Sequence, residues 1–499
     1  MDTISIWRGT ADNTMFPPLE GRATVDVAIV GGGITGLTLA MLLAEEGKSV
    51  ALLEAGSIGL GSTGNSTGNL YGVVSERLFA IGDKWDRQVM RAVAESRSQA
   101  VDLIERTARA LPAEVGFERC DFHLYATTAA ATETVEREYL AAHHVGLPAR
   151  LADAAPIAVE SRRALIIENQ AQFHPLAYLQ ALAQRIASDR CRIYERSAVI
   201  DIDEQSHTLH TMRGVVSARD IVLATHSPKG RFLVHAEMLP NREYGIAARL
   251  NQGPYPQGIF WGLGDYFHSI RSLRAGGQEY LIVVGEHHRV GQHDSVDAFL
   301  RLEEFARRHF DVAEVSHRWS AQNYRAADLL PYIGRSHASD LHIATGFGPD
   351  GLTYGTLAAA IITDQIVGRP SPWAEIYRAG RIEPVRAALG VLEESLGVAK
   401  ALIQDYAGRP EARAATIRPG EGAVVEVGGE KVAAYRDAAG NLSGVSPVCT
   451  HMKCIVHWNA AEKTWDCPCH GSRFDVTGEV IEGPALAPLP RKHFGQWQS

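Results

Sequence analysis

Cysteine is scarce in this chain, six in 499 residues, and the six are unevenly placed. Cys449, Cys454, Cys467 and Cys469 fall inside one 21-residue window, while Cys120 and Cys191 stand alone far upstream. That distribution excludes a secreted disulfide scaffold and points to a metal site. Basic residues are too few for a polyanion-binding protein: 49 Lys and Arg against 58 Asp and Glu give a net charge of −9. No nucleic-acid partner is expected. The opening residues lack the basic start and apolar core of an export signal, so the expected location is cytoplasmic. Internal repeats and low-complexity tracts are also missing, which argues against a solenoid or a long tail. One uncharged run, Val27 to Ala44, reaches 18 residues and satisfies a crude membrane count. Its four glycines and β-branched lead-in make it a buried strand, turn and helix instead, and no transmembrane segment is expected.

At about 100–200 residues per domain the length implies about two to four domains. Residues 1–372 mix β-branched strands such as VDVAIV and DIVLAT with Ala/Leu-rich helical stretches. This pattern predicts an α/β, Rossmann-like nucleotide-binding domain interleaved with a mixed-sheet substrate domain. Gly368-Arg369-Pro370-Ser371-Pro372 reads as a breaker, and residues 373–409 read as a helical connector. From 410 to 499 the sequence alternates apolar and polar residues between Gly-Gly and Gly-Asn turns, which predicts a small all-β domain.

A strand over Val25–Val30, then Gly31-Gly32-Gly33-Ile34-Thr35-Gly36, then a helix from Leu37, is the order a dinucleotide turn requires. Gly31 permits the tight turn, Gly33 lets amides approach a pyrophosphate, and Gly36 lets helix and strand pack closely. Glu54 ends the next strand 18 residues beyond Gly36, where a carboxylate would accept ribose hydroxyls. The run from Gly59 to Asn69 adds Thr63, Ser66 and Thr67 as small donors right after that acid. So many donors suit the longer flavin nucleotide better than a nicotinamide one. Further on, Leu341–Thr345 meets Gly346-Phe347-Gly348-Pro349-Asp350-Gly351 and a helix over Leu352–Val367. No strand follows to carry a second ribose acid. This helix N-terminus is therefore expected to stabilise negative charge on a reduced flavin ring.

These features resemble the D-amino acid oxidase and glycine oxidase superfamily of FAD enzymes, through VAIVGGGITGLTLA, STGNSTGN, DIVLATHS and LHIATGFGPDGLTYGTLAAAIITDQI. The resemblance implies that Val199 contacts the cofactor and that Thr225 lies in the family's turn after the DIVLAT strand. It places Gly346, Gly348 and Gly351 at the flavin. No cysteine lies near the Gly346 loop, so bound FAD is expected to be non-covalent.

Near the other end, Cys449-Thr450-His451 and Cys467-Pro468-Cys469-His470 give two loops, each with one close Cys/His pair. Four-coordinate zinc is one reading of such a set. Against it, Cys454 and Cys469 hold matching places and could bridge the loops, Ser472 could donate to a cluster sulfur, and Gly483-Pro484-Ala485 offers a cover. The constellation resembles the Rieske [2Fe–2S] fold, which implies Cys449 and Cys467 on one iron and His451 and His470 on the other. Neutral imidazoles in place of thiolates raise such a cluster to about −150 to +300 mV. Phe474 stands where high-potential Rieske proteins carry a tyrosine that reaches a ligand sulfur, and losing that hydrogen bond lowers the potential. Lys453 also replaces a small residue in the first loop. A Cys454–Cys469 disulfide is unusual for a reducing compartment and stands as a hypothesis.

Taken whole, the chain resembles FAD-dependent oxidoreductases of the D-amino acid oxidase superfamily with a C-terminal Rieske domain, the segment from Arg318 to Arg335 included. The expected reaction is oxidation of a small amine or amino acid at a C–N bond. Electrons would pass from flavin through the cluster to an external acceptor, a protein or a quinone. The alternative is a flavin and iron–sulfur electron-transfer protein that serves a partner, as donor or acceptor, without an organic substrate of its own. A Rieske oxygenase would need a further iron-binding domain, and only 29 residues follow His470. Substrate positioning is assigned first to Arg325 and second to Arg271, with Tyr324 beside them. Tyr244, His268 and His287-His288 read as wall residues, and His457 as a surface residue rather than a ligand.

Overall fold

The β-branched run that ends at Val30 forms a strand, Gly21–Val30, longer than the apolar segment alone because its first residues, Gly21 to Thr24, pair in register with Gly214 to Ser217 at the start of Gly214–Leu223. The computed structural model describes residues 3–228, 234, 238–290, 295–336, 339–381 and 414–492. Gly21–Val30 lies parallel between Gly214–Leu223 and Val50–Leu53, and Cys191–Tyr194 follows on the outer side. His342–Thr345 and Tyr332–Arg335 extend the sheet beyond Gly214–Leu223, with the hairpin of Val199–Asp203 and Thr208–Thr211 attached there. Strands buried on both faces need apolar runs rather than alternation, and Val50–Leu53 and His342–Thr345 are buried throughout.

Two helices that are apolar nearly all round, Ile34–Glu45 and Gly351–Val367, pack against each other in the main core. Gly355 permits that contact: a Cβ there would sit 2.6 Å from Thr35 Oγ1. A second sheet runs from Val312–Ala326 through Met238–Leu250, Gln278–Arg289, Ser269–Ala275, Ile259–Leu263, Glu118–Ala126 and Arg163–Gln172 to Asn69–Leu70. The expected α/β nucleotide-binding part with an interleaved mixed-sheet part is the observed arrangement.

Among the described residues the C-terminal part forms two antiparallel sheets of four strands. One is built on the hairpin of Gly422–Val427 and Glu430–Arg436, whose turn residues Gly428 and Gly429 both have positive φ, as a two-residue hairpin turn demands. The other contains His457–Asn459, Thr464–Asp466, Arg473–Phe474 and Val480–Glu482. Residues 373–381 form turns and a short 3₁₀ segment, Ala379–Arg381. The rest of the expected connector, from 382, lies outside the described residues. No described helix is long and apolar enough to cross a membrane.

The C-terminal part packs on the edge strand Val312–Ala326 and its neighbour Met238–Leu250. Arg242, buried in the latter, reaches Glu462, lies 3.1 Å from Asp466 and donates to Ser320 Oγ at 2.7 Å. Arg473 closes the square from the other side, 2.9 Å from Glu462 and 3.4 Å from Asp466. Burial works against both carboxylates, but the two guanidinium groups outweigh it and hold Glu462 and Asp466 below their ordinary values.

Candidate active site and metal centre

The glycine turn sits at the carboxyl end of Gly21–Val30, where ligands bind in open α/β sheets. Gly31 has φ of 112°, and its amide donates to Leu53 O at 2.8 Å. A side chain at Gly36 would overlap the Gly31 carbonyl oxygen, so strand and helix meet there only through hydrogen. Gly33 caps Ile34–Glu45 without a side-chain hydrogen bond, which leaves a helix N-terminus suited to an anion. The glycine turn with its uncapped helix N-terminus fits the pyrophosphate of a dinucleotide.

Glu54 accepts from Gly32 N at 2.7 Å through one carboxylate oxygen and from Gly56 N at 2.8 Å through the other, so it stands at the turn. Thr63 Oγ1 accepts from Ile34 N at 3.2 Å. Ser66 donates to Thr63 O and takes the Trp7 indole N–H on its own carbonyl. The Thr67 carbonyl accepts from Arg271. Val199 is buried at the start of its hairpin, two residues past Ser197, whose amide donates to Glu54 O. Thr225 follows Ala224, whose amide donates to Val30 O beside Gly31. The structure therefore gathers the sequence-predicted nucleotide residues from four distant segments at one edge of the sheet.

Gly346 and Gly348 both have positive φ and line a narrow, partly open cleft. Its other walls include Ser75, Glu76, Arg325, Phe347, Asp350 and Tyr354. Arg325 lies 3.4 Å from Glu76, and its Nε is buried without a hydrogen-bond partner among the described residues. Asp350 accepts from Ser75 N and Oγ at 2.9 and 3.0 Å and sits 3.7 Å from the fully buried Arg97. With its carboxylate so engaged, Asp350 leaves the N-terminus of Gly351–Val367 without a side-chain cap. Glu76 and Asp350 were not singled out from the sequence. An acid beside Ser75 in an irregular stretch carries no local signal, and only the fold sets it opposite Arg325, 249 positions on.

Arg271 is placed elsewhere. Its guanidinium is buried and donates to the carbonyls of Thr67, Gly68, Phe173 and Ser272, and burial lowers its pKa to about 10. Tyr324 is buried too, but on the opposite face of its strand from Arg325. Its hydroxyl accepts from Gln322 Nε2 at 2.8 Å and lies 3.4 Å from His470 O and 3.3 Å from Gly483 O. Neither lines the cleft.

In the C-terminal part the two Cys/His loops meet. The sulfurs of Cys449 and Cys467 hydrogen-bond each other, and that contact lowers Cys449 to about 7 while it pushes Cys467 up. The His451 and His470 rings stand edge to face, 5.0 Å between centroids. Burial holds His470 at about 4, the neutral form a metal ligand needs. Cys454 and Cys469 are joined in a disulfide, so they tie the loops together, and only Cys467 of the close trio of Cys454, Cys467 and Cys469 remains a thiol. Ser472 hydrogen-bonds Cys449 and takes the Ala485 amide on its hydroxyl at 3.1 Å, which anchors the covering loop. Two thiols and two imidazoles make a donor set that fits an iron–sulfur cluster with mixed ligation. Phe474 is fully buried in the core beneath. Tyr244 bonds His288 and His268 bonds Glu286, within the sheet wall.

Comparison with known proteins matches both parts of the chain to families. Residues 26–365 match the family described as FAD dependent oxidoreductase, and residues 409–493 match the Rieske [2Fe-2S] domain. YhfW of Bacillus subtilis (strain 168), named as a Rieske 2Fe-2S iron-sulfur protein, is 32% identical over 97% of this chain and 96% of its own. Among solved structures, glycine oxidase from Geobacillus kaustophilus superposes with a TM-score of 0.59 at 21% identity, over 72% of this chain and 99% of that one. L-proline dehydrogenase from P. horikoshii gives a TM-score of 0.59 at 16% identity, over 73% and 98%. At those identities the likeness is one of fold.

Proposed function

Because the chain belongs to the FAD dependent oxidoreductase family and carries a Rieske [2Fe–2S] domain, we propose that it oxidises a small amino acid at its C–N bond and passes the electrons out through the cluster to an external acceptor. Bound FAD supplies a two-electron acceptor and the cluster a one-electron carrier; the chain's residues must bind the substrate, orient it and keep water away.

The observation that carries the substrate half is the Arg325–Glu76 pair in the cleft beside Gly346 and Gly348. A zwitterion satisfies both partners at once: its carboxylate takes the Arg325 guanidinium, and its ammonium takes the Glu76 carboxylate. A neutral or purely cationic amine has no carboxylate to offer Arg325, whose Glu76 partner stays beside it. The cleft is narrow and partly walled by Phe347 and Tyr354, which favours a small amino acid over a bulky one. Arg271, with its donors engaged on the loop at Thr67 and Gly68, is assigned to holding the flavin loop rather than to the substrate. The names of the structural neighbours, a glycine oxidase and a proline dehydrogenase, support an amino-acid substrate.

The test is anaerobic mixing of the holoenzyme with a panel of amino acids, N-methylated amines and hydroxy acids while the flavin band is followed. Small amino acids are expected to bleach it. In Arg325→Lys, a point charge replaces a planar fork, so KM for the best substrate rises about 10- to 100-fold, in line with the loss of one charge-assisted hydrogen bond. If no member of the panel bleaches the flavin, the protein is an electron carrier and the substrate reading falls.

A further inference from the structure

The edge strand Val312–Ala326 separates the two cofactor sites, and its alternation sorts its side chains between them. Successive residues of a strand point to opposite faces. Ser320, Gln322 and Tyr324 all face the C-terminal domain: Ser320 Oγ donates to Glu462 at 2.8 Å, Gln322 Nε2 donates to Gly471 O at 2.7 Å, and Tyr324 reaches the carbonyls of His470 and Gly483. The odd-numbered Trp319 and Arg325 face the other way. Trp319 Nε1 donates to Asn65 O in the loop after the nucleotide turn at 3.0 Å, and Arg325 lines the cleft. The strand thus touches the flavin loop and cleft on one side and the second Cys/His loop on the other.

The seat for that second loop is closely built. A side chain at Gly471 would lie 2.6 Å from Gln322 Nε2 and 2.9 Å from Tyr324 Oη, so only glycine lets the loop settle there. His226, in the left-handed region at φ 67°, presses its ring edge against Tyr324 at 4.9 Å. Its Nδ1 lies 3.0 Å from Ser62 Oγ beside the nucleotide turn and 3.0 Å from Glu482 Oε1 in the C-terminal domain.

We infer that Tyr324 and Gln322 are positioning residues for His470: they seat the second cluster-ligand loop on the flavin domain and hold the Rieske domain in one fixed place beside the flavin site. Tyr324 acts through the His470 main chain, and the adjacent Arg325 lines the cleft, so one dipeptide links the two sites. This assignment rests on the proposed function only in the use it gives the proximity; the seat itself is a matter of contacts.

The test uses the holoenzyme and two variants, Tyr324→Phe and Gln322→Ala. Tyr324→Phe keeps the ring against His226 and removes only the hydroxyl. The single hydroxyl proton shared between the His470 and Gly483 carbonyls is then lost, and a loosening of up to about tenfold in exchange corresponds to the usual worth of one such bond. Hydrogen exchange at the 467–472 segment is expected to quicken about tenfold in either variant, and the reduced cluster's paramagnetic spectrum to broaden, with FAD content unchanged. Exchange and spectra identical to the parent in both variants would overturn the assignment. Should Tyr324→Phe fail to fold, Gln322→Ala alone decides by the same two readouts. Neither readout needs a substrate, so an amine panel that leaves the flavin unbleached sinks the proposed reaction without touching this result.

Discussion

His174 provides a quantitative test of how the nucleotide loop is held. It is 6% exposed, and its Nδ1 caps the helix Pro175–Ile186 by accepting from Ala177 N at 3.1 Å. Nδ1 therefore carries no proton, and Nε2–H points at Thr10 Oγ1, 3.0 Å away. Burial first, and the nearby Arg271 second, lower its pKa from 6.5 to about 4. Between those values the unfolded chain binds a proton that the folded chain refuses, so stability falls as pH drops through the window. The slope is about 1.4 kcal/mol per pH unit, and over the roughly two to three units between those values the loss reaches about 3 kcal/mol. The contribution is fully present above pH 6.5, and the fall ends near pH 4. His174→Asn separates this effect from capping, because asparagine caps a helix N-terminus through its oxygen but does not titrate. Unfolding free energies from denaturant curves measured from pH 7 to 4.5 are expected to fall less steeply in the variant, by about 2–3 kcal/mol over the two units below 6.5. His123, also lowered to about 4 by burial, keeps a residual slope in both proteins. The ring of His174 packs edge-on against Trp7 at 5.1 Å, and the Trp7 indole holds the Ser66 carbonyl, so acid is also expected to release FAD more readily from the parent than from the variant. Parallel midpoint curves for the two proteins would refute the assignment of the shift to His174.

Two further substitutions address the sites directly. Gly36→Ala forces a methyl into the Gly31 carbonyl oxygen, so the purified protein should contain less than about a tenth of the parent's flavin per chain, read from absorbance at 450 nm, with the cluster signal intact. Arg242→Met leaves Glu462 and Asp466 with Arg473 as their remaining partner in the square; removing one member of such a buried group costs about 3–5 kcal/mol, to be read as an earlier thermal transition of the C-terminal domain.

The sites were legible where their chemistry is local in sequence. The nucleotide turn, Gly31 to Gly36 with Glu54, and the two Cys/His pairs carry their meaning in spacings of a few residues. The residues that were not legible act across long separations: Glu76 meets Arg325, Arg242 meets Glu462 220 positions on, and Tyr324 meets His470 146 positions on. Tyr324 and Arg325 read as one substrate-positioning pair because they are adjacent, yet adjacency in a strand sends two side chains to opposite faces. Knowing that Val312–Ala326 is a strand separates them; knowing which face meets which domain needs the fold. Arg271 misled for a related reason. An arginine in a strand looks like a free cation, and the three backbone carbonyls of Thr67, Gly68 and Phe173 that engage it belong to segments about 100 to 200 residues away.

The square of Arg242, Glu462, Arg473 and Asp466 explains how the domains settle in one arrangement rather than many. Buried ion pairs add little net affinity, since undocking returns each charge to water and recovers most of what desolvation cost. Their effect falls on the wrong arrangements. A slip of the C-terminal domain along Val312–Ala326 would carry Glu462 and Asp466 away from Arg242 and leave them short of a guanidinium in a dry interface, at several kcal/mol. Affinity must then come from the contacts that any close docking makes, such as Ala461 packed into the core beside Phe299 and Leu302, while orientation comes from the charges. A cluster-bearing domain that docks this way is placed by electrostatic exclusion, and its His470 loop meets the same two side chains each time.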